Sequence, residues 1–241
     1  MRYLDDVYPD IASNLALDEA LLLTAEEHDR GPVLRVWESP SLAVVLGASS
    51  RLQDDVDVEL TTRDGVPIAR RSSGGGTVVI GPGALNVTVV LPAVFAPGLD
   101  AVDRSQAYVL ERIATGLRAS VPEVQVQGLG DLTLGDRKFA GSAQRRLKHW
   151  FLVHLSIMYD FPIAPIVRYT RAPRRQPGYR AGRSHESFLT NIDLSRDALI
   201  ATVRACWLPT GNAMTPCEVP SSLVENLVVT RFGDPIWVTR F

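Results

Sequence analysis

Residues 70–83 read RRSSGGGTVVIGPG: two arginines, two serines and three consecutive glycines ahead of a β-branched run. Three adjacent glycines cost conformational entropy on folding, so something at this point requires bare backbone. A sharp turn or bulge is one reason. Close approach of backbone N–H groups to an anion is another. Arg70 and Arg71 favour the second, because guanidinium forks match phosphate and carboxylate oxygens. No Gly-Lys-Ser/Thr follows, so this is not a Walker A loop, and GxGxxG is absent, so a dinucleotide fingerprint is not supported. VPIAR (66–70) leads into the run as a strand, and TVVI (77–80) and NVTVVLP (86–92) leave it as strands around GPGA.

Working outward, VLRVWE (33–38), LAVVLG (42–47) and WFLVHLSIMYD (150–160) read as further strands, the last so apolar that it belongs at the centre of a sheet. DLTLGDRKFAGSAQ (131–144) reads as a hairpin turning at Gly135-Asp136. SNLALDEALLLTAEE (13–27) is an amphipathic helix with Ser13 or Asn14 as N-cap, halted by Gly31-Pro32. Residues 54–65 form a short acidic helix. Residues 103–120 form a second long helix with Tyr108, Ile113 and Leu117 on its apolar stripe, and 195–207 a third, capped by Ser195. Residues 227–241 suggest one or two closing strands. Paired strands with helices between them predict an α/β (α+β) fold: a mixed, largely antiparallel sheet flanked by helices, in one domain over 1–241.

The chain has 241 residues and a formal net charge of -2, with 46% hydrophobic and 22% charged residues, as expected of a soluble globular protein rather than a polyanion binder. Cys206 and Cys217 are too few for a disulfide framework, there is no CxxC, and the four histidines lack HExxH spacing. The first residues, MRYLDDVYPD, carry no apolar signal core, and no apolar run reaches membrane-spanning length. The expectation is a cytoplasmic protein with no nucleic-acid or membrane partner.

GDRKFAGSAQRR (135–146) is the second informative stretch. Lys138 follows the turn and precedes the small residues Ala140, Gly141, Ser142 and Ala143. A lysine after a turn is most often a solvated charge. With small residues beside it and an arginine-flanked glycine run on another hairpin, it could complete a pocket that stabilises charge developing in acyl transfer.

These segments resemble the lipoate–protein ligase family, within the wider biotin/lipoate ligase and octanoyltransferase group. The carrying residues are NLALDEALL (14–22), RRSSGGGTV (70–78), GDLTLGDRKFAGSAQRR (130–146) and TNIDL (190–194). The resemblance implies a catalytic domain with a class II synthetase/biotin ligase-like fold. It implies that Lys138 is the catalytic residue, binding the acyl carbonyl and the phosphate of an acyl-adenylate. It places Ser73, Gly74, Gly75, Gly76, Gly141, Ser142, Ala143 and His154 along the lipoate or octanoate chain. Arg70, Arg71, Thr77, Val78, Asp131, Phe139, Arg180 and Arg183 fall on the nucleotide side with Lys138, and Asp131 is the candidate for Mg2+. ATP and lipoate are the implied substrates, lipoyl-AMP the intermediate, and an acidic, lysine-bearing lipoyl carrier domain the acceptor.

The chain departs from the pattern at three points. Where ligases carry His-Asp-x-Gly after the glycine run, it has Ile80, Gly81, Pro82 and Gly83. Gly130 stands where an asparagine would precede Asp131. The expectation is a catalytic domain with no C-terminal accessory domain, which makes a separate accessory protein a candidate partner. Cysteine-dependent acyltransferases place a cysteine shortly before the lysine motif or in a later loop; 124–138 has none, and Cys206, in an expected helix, and Cys217, after a proline near the tail, read as buried structural cysteines. Residues 161–184 hold Arg168, Arg171, Arg174, Arg175, Arg180 and Arg183 and no acid; they read as a long basic loop suited to cover a site or dock an acidic carrier. An ATP-independent acyltransferase or amidotransferase, and a non-catalytic binder of lipoate or its carrier, remain the alternatives.

Overall fold

The structure, a computed structural model, describes residues 1–172, 176–207 and 215–241. Arg174 and Arg175 of the basic loop lie outside the described residues. The strands are β1 (Arg2–Leu4), β2 (Val33–Glu38), β3 (Ala43–Leu46), β4 (Ile68–Arg70), β5 (Val78–Ile80), β6 (Ala84–Pro92), β7 (Val124–Gln127), β8 (Asp131–Leu134), β9 (Arg137–Arg146), β10 (Trp150–Met158) and β11 (Thr215–Pro216). The helices are α1 (Ile11–His28), α2 (Leu52–Asp55), α3 (Val58–Arg63), α4 (Val102–Arg118), α5 (Ala164–Tyr169), α6 (His185–Phe188), α7 (Arg196–Trp207), α8 (Ser221–Leu227) and α9 (Pro235–Thr239).

Eight strands form the main sheet in the order β11-β1-β2-β6-β10-β9-β8-β7. From β2 to β7 every pairing is antiparallel, while β1 runs parallel to both its neighbours. A small sheet, β4-β3-β5, stands beside it. Strand alternation sorts the side chains of the central strands onto two faces. Leu85, Val87, Val89 and Leu91 of β6 join Phe151, Val153, Leu155 and Ile157 of β10 under α4 and α7. The opposite face is covered at one end by α1 and left open at the other, and the opening is the cleft described below.

Several local expectations are corrected. The cap of α1 lies three residues before Ser13: Asp10 is the N-cap and accepts a 2.8 Å bond from the Ser13 N–H. The tail is helical rather than stranded. Its β-branched run, Leu227–Phe232 in sequence, coils because Val224, Leu227 and Phe232 are buried in the α1 cluster. Tertiary burial there outweighs strand propensity. Asp234 then caps α9 through the Ile236 N–H. Among its described residues the basic loop contains α5 and a 3-10 turn at Gly178–Arg180. Strands β1 and β7 were not foreseen. The acidic segment forms α2 and α3, and Ser195 accepts from the Ala198 N–H at the start of α7.

Candidate active site

A cleft of about 1520 Å³ opens between the exposed face of the main sheet, the glycine loop and the segment leading into α6. It brings together Arg71, Gly74, Gly75, Gly76, Thr77, Val78, Asp131, Lys138, Gly141, Ser142, Ala143, His154 and Arg180 of the expected set. Arg70, Ser73, Phe139 and Arg183 do not line it.

The glycine run has a specific structural reason. Arg71 is 6% exposed, and its guanidinium sits inside the loop that follows it. Nη2 donates to the Gly74 and Gly76 carbonyls at 2.5 and 2.8 Å, Nε to Ser73 Oγ at 3.0 Å, and Nη1 to the Val45 carbonyl at 3.3 Å. Burial pulls the Arg71 pKa down to about 10. Gly75 takes φ +85°, and a Cβ there would stand 3.0 Å from Arg71 Nη2. A chain this bare can wrap a buried cation and still present its outer edge to the cleft. Ser72 donates to the buried Glu19 carboxylate of α1, which also accepts from Arg231 at 3.1 Å.

Arg70 corrects the expectation of a phosphate ligand. It is fully buried and faces away from the cleft, donating to the carbonyls of Gly47, Ser50, Trp237 and Val238. Trp237 Nε1 returns a bond to the Arg70 carbonyl at 3.0 Å. This arginine fastens the α9 segment to the back of the glycine loop.

Lys138 is aimed by a bulge. The β8–β9 register shifts between Leu132 and Thr133, so Leu132 pairs with Ala140 and Thr133 with Lys138, leaving Phe139 over. An extra residue of this kind re-aims its neighbours. Phe139 and Ala140 face the core, whereas Lys138 and Gly141 both face the cleft. Phe139 is therefore a core residue whose side chain does not reach the nucleotide side. The Lys138 Nζ lies over Gly141, where a Cβ would stand 2.7 Å from it. It pairs with Asp131 Oδ1 at 2.6 Å, and the Tyr179 hydroxyl donates to Asp131 Oδ2 at 2.7 Å. Burial, then the bond to Asp131, pushes the Tyr179 pKa well up. At Gly130 a Cβ would fall 2.6 Å from Gln106 Nε2 and 2.8 Å from Ser142 Oγ, so a larger residue there requires those side chains to shift.

Both Asp131 oxygens are engaged, and no group of three His, Cys, Asp or Glu converges among the described residues. A dedicated protein cage for Mg2+ does not fit this site; an ion arriving with substrate phosphates would need little from the protein beyond one carboxylate.

On the sheet face, Ser73 Oγ meets His154 Nε2 at 2.6 Å, and His154 Nδ1 lies 3.6 Å from Asp18 Oδ2. Asp18 is bound to Arg35 at 2.7 Å and accepts from Thr88 at 2.9 Å. Burial raises the Asp18 pKa, but Arg35 and His154 outweigh it and the net shift is downward. Ser73 thus holds a ring nitrogen from beneath the loop rather than lining the cleft.

Near the entrance, Arg180 is buried with its guanidinium 4.8 Å over the Phe188 ring. Arg183 turns outward to Asp136 at 2.7 Å. Thr77 donates to Asp55 at 2.7 Å. Ile80, at the family's histidine position, is buried in the α1 cluster while touching the cleft. Cys206 and Cys217 lie outside the cleft, and burial raises both thiol pKa values, which disfavours a thiolate nucleophile.

Sequence reasoning missed Asp18, Trp37, Asn86 and Ser156 as cleft residues. A signal existed: β2, β6 and β10 each set polar or amphipathic residues two apart in an apolar strand, as Arg35/Trp37, Asn86/Thr88 and His154/Ser156. A period of two places each pair on one face.

Residues 10–208 match the family model described as the lipoyl protein ligase A/B catalytic domain. A protein of Aeropyrum pernix assigned as a lipoate-protein ligase A is 32% identical over 145 residues, 60% of this chain and 52% of that protein. An octanoyl-[GcvH]:protein N-octanoyltransferase of Oceanobacillus iheyensis is 29% identical over 152 residues, 59% of this chain and 53% of that protein. The chain spans about half the length of these curated relatives. Among solved structures, a bi-partite lipoate protein ligase of Thermoplasma acidophilum, studied with its E2 lipoyl domain, superposes with a TM-score of 0.84 at 21% identity, covering 99% of this chain and 95% of that one. A lipoate-protein ligase A bound with ATP gives a TM-score of 0.83 at 21% identity, with 99% and 98% coverage. At these identities the structural likeness shows the fold.

Proposed function

Because the chain belongs to the lipoyl protein ligase A/B catalytic-domain family, we propose that it is an ATP-dependent lipoate–protein ligase. A lipoate or octanoate carboxylate attacks the α-phosphate of ATP, forming acyl-AMP and releasing pyrophosphate. The neutral ε-amine of a lysine on a lipoyl carrier domain then attacks the acyl carbon; the amide forms, AMP leaves with the bonding pair, and the amine's surplus proton passes to solvent.

The observation that carries this reading is Lys138. Its Nζ stands in the cleft over a bare stretch of β9, next to one carboxylate. Gly141 leaves the space that the Lys138 side chain occupies, so the ammonium faces the cleft, where a reacting carbonyl brought beside it meets its charge. There it withdraws electrons from the carbonyl and stabilises the oxyanion of the tetrahedral intermediate. It also bridges to the phosphate, holding the two reacting ends together. The glycine loop keeps its outer edge thin enough for an alkyl chain, and Arg180 supplies a second cation on the nucleotide side. Magnesium, if used, enters with ATP. The chemistry needs positioning and charge stabilisation, and no protein nucleophile. The family also contains octanoyltransferases, but neither thiol of this chain reaches the cleft, which favours the adenylate route over a thioester.

The adenylation step is tested by pyrophosphate release from ATP in the absence of carrier. Release that requires lipoate or octanoate supports the ligase. No release, with acyl transfer proceeding only from an acylated donor carrier, overturns it in favour of the ATP-independent alternative.

Arg51 and Arg171 are exposed at the cleft rim and suit an acidic carrier. Reversing both, Arg51→Glu with Arg171→Glu, is expected to slow carrier modification several-fold at low salt, with the difference from wild type shrinking as salt rises. Equal rates at low salt would remove the rim from the docking surface. Among the described residues no helix is long and apolar enough to cross a membrane.

A further inference from the structure

One wall of the cleft is made of two loops. The first is the glycine run. The second follows β3, with Ser49, Ser50 and Arg51 lining the cleft. The two meet backbone on backbone: the Ala48 N–H donates to the Ser73 carbonyl at 2.8 Å, and a Cβ on Gly47 would run into the Gly75 carbonyl. Residues 47–50 and 72–77 contain no large apolar side chain. Burial therefore does little to fix where these loops stand, and segments of this kind open locally at small cost.

The segment 235–241 supplies the missing constraint from outside the cleft. Trp237 Nε1 donates to the Arg70 carbonyl at 3.0 Å, and Arg70 Nε donates back to the Trp237 and Val238 carbonyls at 3.1 and 2.9 Å. Arg70 Nη1 carries the tie onward to the Gly47 and Ser50 carbonyls at 2.8 and 2.7 Å. Arg240 Nη2 donates to the Ala48 carbonyl at 2.5 Å, with its guanidinium 3.6 Å from the centre of the Trp237 ring. The Leu52 N–H donates to the Phe241 carbonyl at 3.1 Å. One short segment thus grips residues 47–52 and the base of the glycine run together. It lies outside the residues matched by the family model. Its bonds land on the small sheet and the loops that leave it, whereas Lys138 stands on β9 of the main sheet.

We propose that Trp237 and Arg240 are positioning residues. Acting through Arg70 and the Ala48 carbonyl, they hold the two loops in the geometry that receives ligand, so that two residues lining no part of the cleft set its affinity. For its ligands the proposal rests on the acyl-ligase reading of this cleft. A wall that samples open arrangements binds in proportion to the fraction of time it spends in the competent one. Loosening it weakens apparent affinity and leaves the chemistry of the bound complex, centred on Lys138, largely alone.

The test is amide hydrogen exchange on the whole chain at Ala48 and Ser50, whose N–H groups are bonded to the Ser73 and Gly47 carbonyls, paired with calorimetric binding of lipoate and of ATP. Trp237→Phe keeps an aromatic ring and removes the bond to Arg70. Arg240→Met keeps an unbranched stem and removes the bond to Ala48; this residue is exposed, so the variant serves if the first fails to fold. Each is expected to speed exchange at Ala48 and Ser50 about three- to tenfold, the span of one neutral hydrogen bond lost, while β6 and β10 exchange as in wild type. Lipoate and ATP should bind several-fold more weakly, and carrier modification with both saturating should stay within about twofold of the wild-type rate. Exchange unmoved at Ala48 and Ser50, or raised uniformly through β6 and β10, would overturn the assignment. Faster local exchange with affinity unchanged, or a saturated rate that falls with affinity unchanged, would overturn it equally. A wild type that binds neither ATP nor lipoate would overturn the ligase reading, and the exchange rates then decide alone whether the segment holds the loops.

Discussion

Lys138→Ala should reduce acyl transfer to the carrier by at least about 10²–10³-fold while the protein melts within a few degrees of wild type. The magnitude is that of removing one preorganised charge from the position of a developing oxyanion. The fold should survive because the Lys138 side chain is not part of the core: it stands in the cleft, and its partner Asp131 keeps the Tyr179 hydroxyl. The strand itself is held by backbone bonds, including the one from the Thr190 N–H to the Lys138 carbonyl, which the substitution leaves in place. Both half-reactions should suffer, because the same ammonium serves the carbonyl and the phosphate. Rates of pyrophosphate release and of carrier modification, each measured alone, check this. A variant that is folded and fully active in both would remove Lys138 from the reaction.

The second large effect falls on stability. Asp18→Ala is expected to destabilise the protein by about 3–5 kcal/mol, because it strands the Arg35 guanidinium in the interior without its counter-ion. Arg35 is fully buried, 2.7 Å from Asp18 Oδ1, and its other bonds go to neutral oxygens of Asn14 and Asp6. Replacing both members, Asp18→Ala with Arg35→Met, should recover much of the loss, since two desolvated charges disappear together. The pH dependence has a definite sign. The folded-state pKa of Asp18 is depressed below its ordinary value, so its contribution is fully present above about pH 4, the unfolded carboxylate range, and is lost as pH falls through the depressed value. The double variant should therefore lose stability less steeply than wild type on acidification below about pH 4. Urea midpoints across pH 2.5–7, a range set by those ordinary carboxylate pKa values, provide the measurement. Parallel acid slopes would show that this ion pair is not a source of acid lability.

Asp18 is linked to the glycine loop through the site. Asp18 lies beside His154, which holds Ser73 under the glycine loop, and Ser73 in turn accepts from Arg71. The buried charges of α1 and β2 thus brace the loop that walls the cleft. On the other side Arg70 ties the loop to α9. The loop can be bare and still well placed because two arginines hold it from within and behind.

The parts of this design with local causes were legible in the sequence. The glycine run, the turn at Gly135-Asp136 and the apolar centre of β10 depend on neighbours a few residues away. The family pattern singled out Lys138, but its orientation depends on the β8–β9 register shift, which alternation alone would assign differently: strict period two would put Ala140 in the cleft and Gly141 in the core. Arg70 and Arg71 looked alike as phosphate forks. Their destinations differ because one meets carbonyls some 167 residues further along the chain and the other meets carbonyls three and five residues on. No local pattern distinguishes them. The tail read as strand because Val228, Val229 and Thr230 are β-branched, and its burial against α1 is a long-range fact. Asn86 was hidden for the opposite reason: its strand was recognised correctly, and a single polar residue in an apolar strand stands out only when β2, β6 and β10 are aligned side by side.

The account is tested most directly by the intact mass of an apo lipoyl domain incubated with this protein, lipoate and ATP. It predicts a rise of one lipoyl group on the domain, absent when ATP is omitted and absent when the target lysine is replaced. An unmodified domain in the complete mixture, with modification arising only from an acylated donor carrier and no ATP, would contradict it.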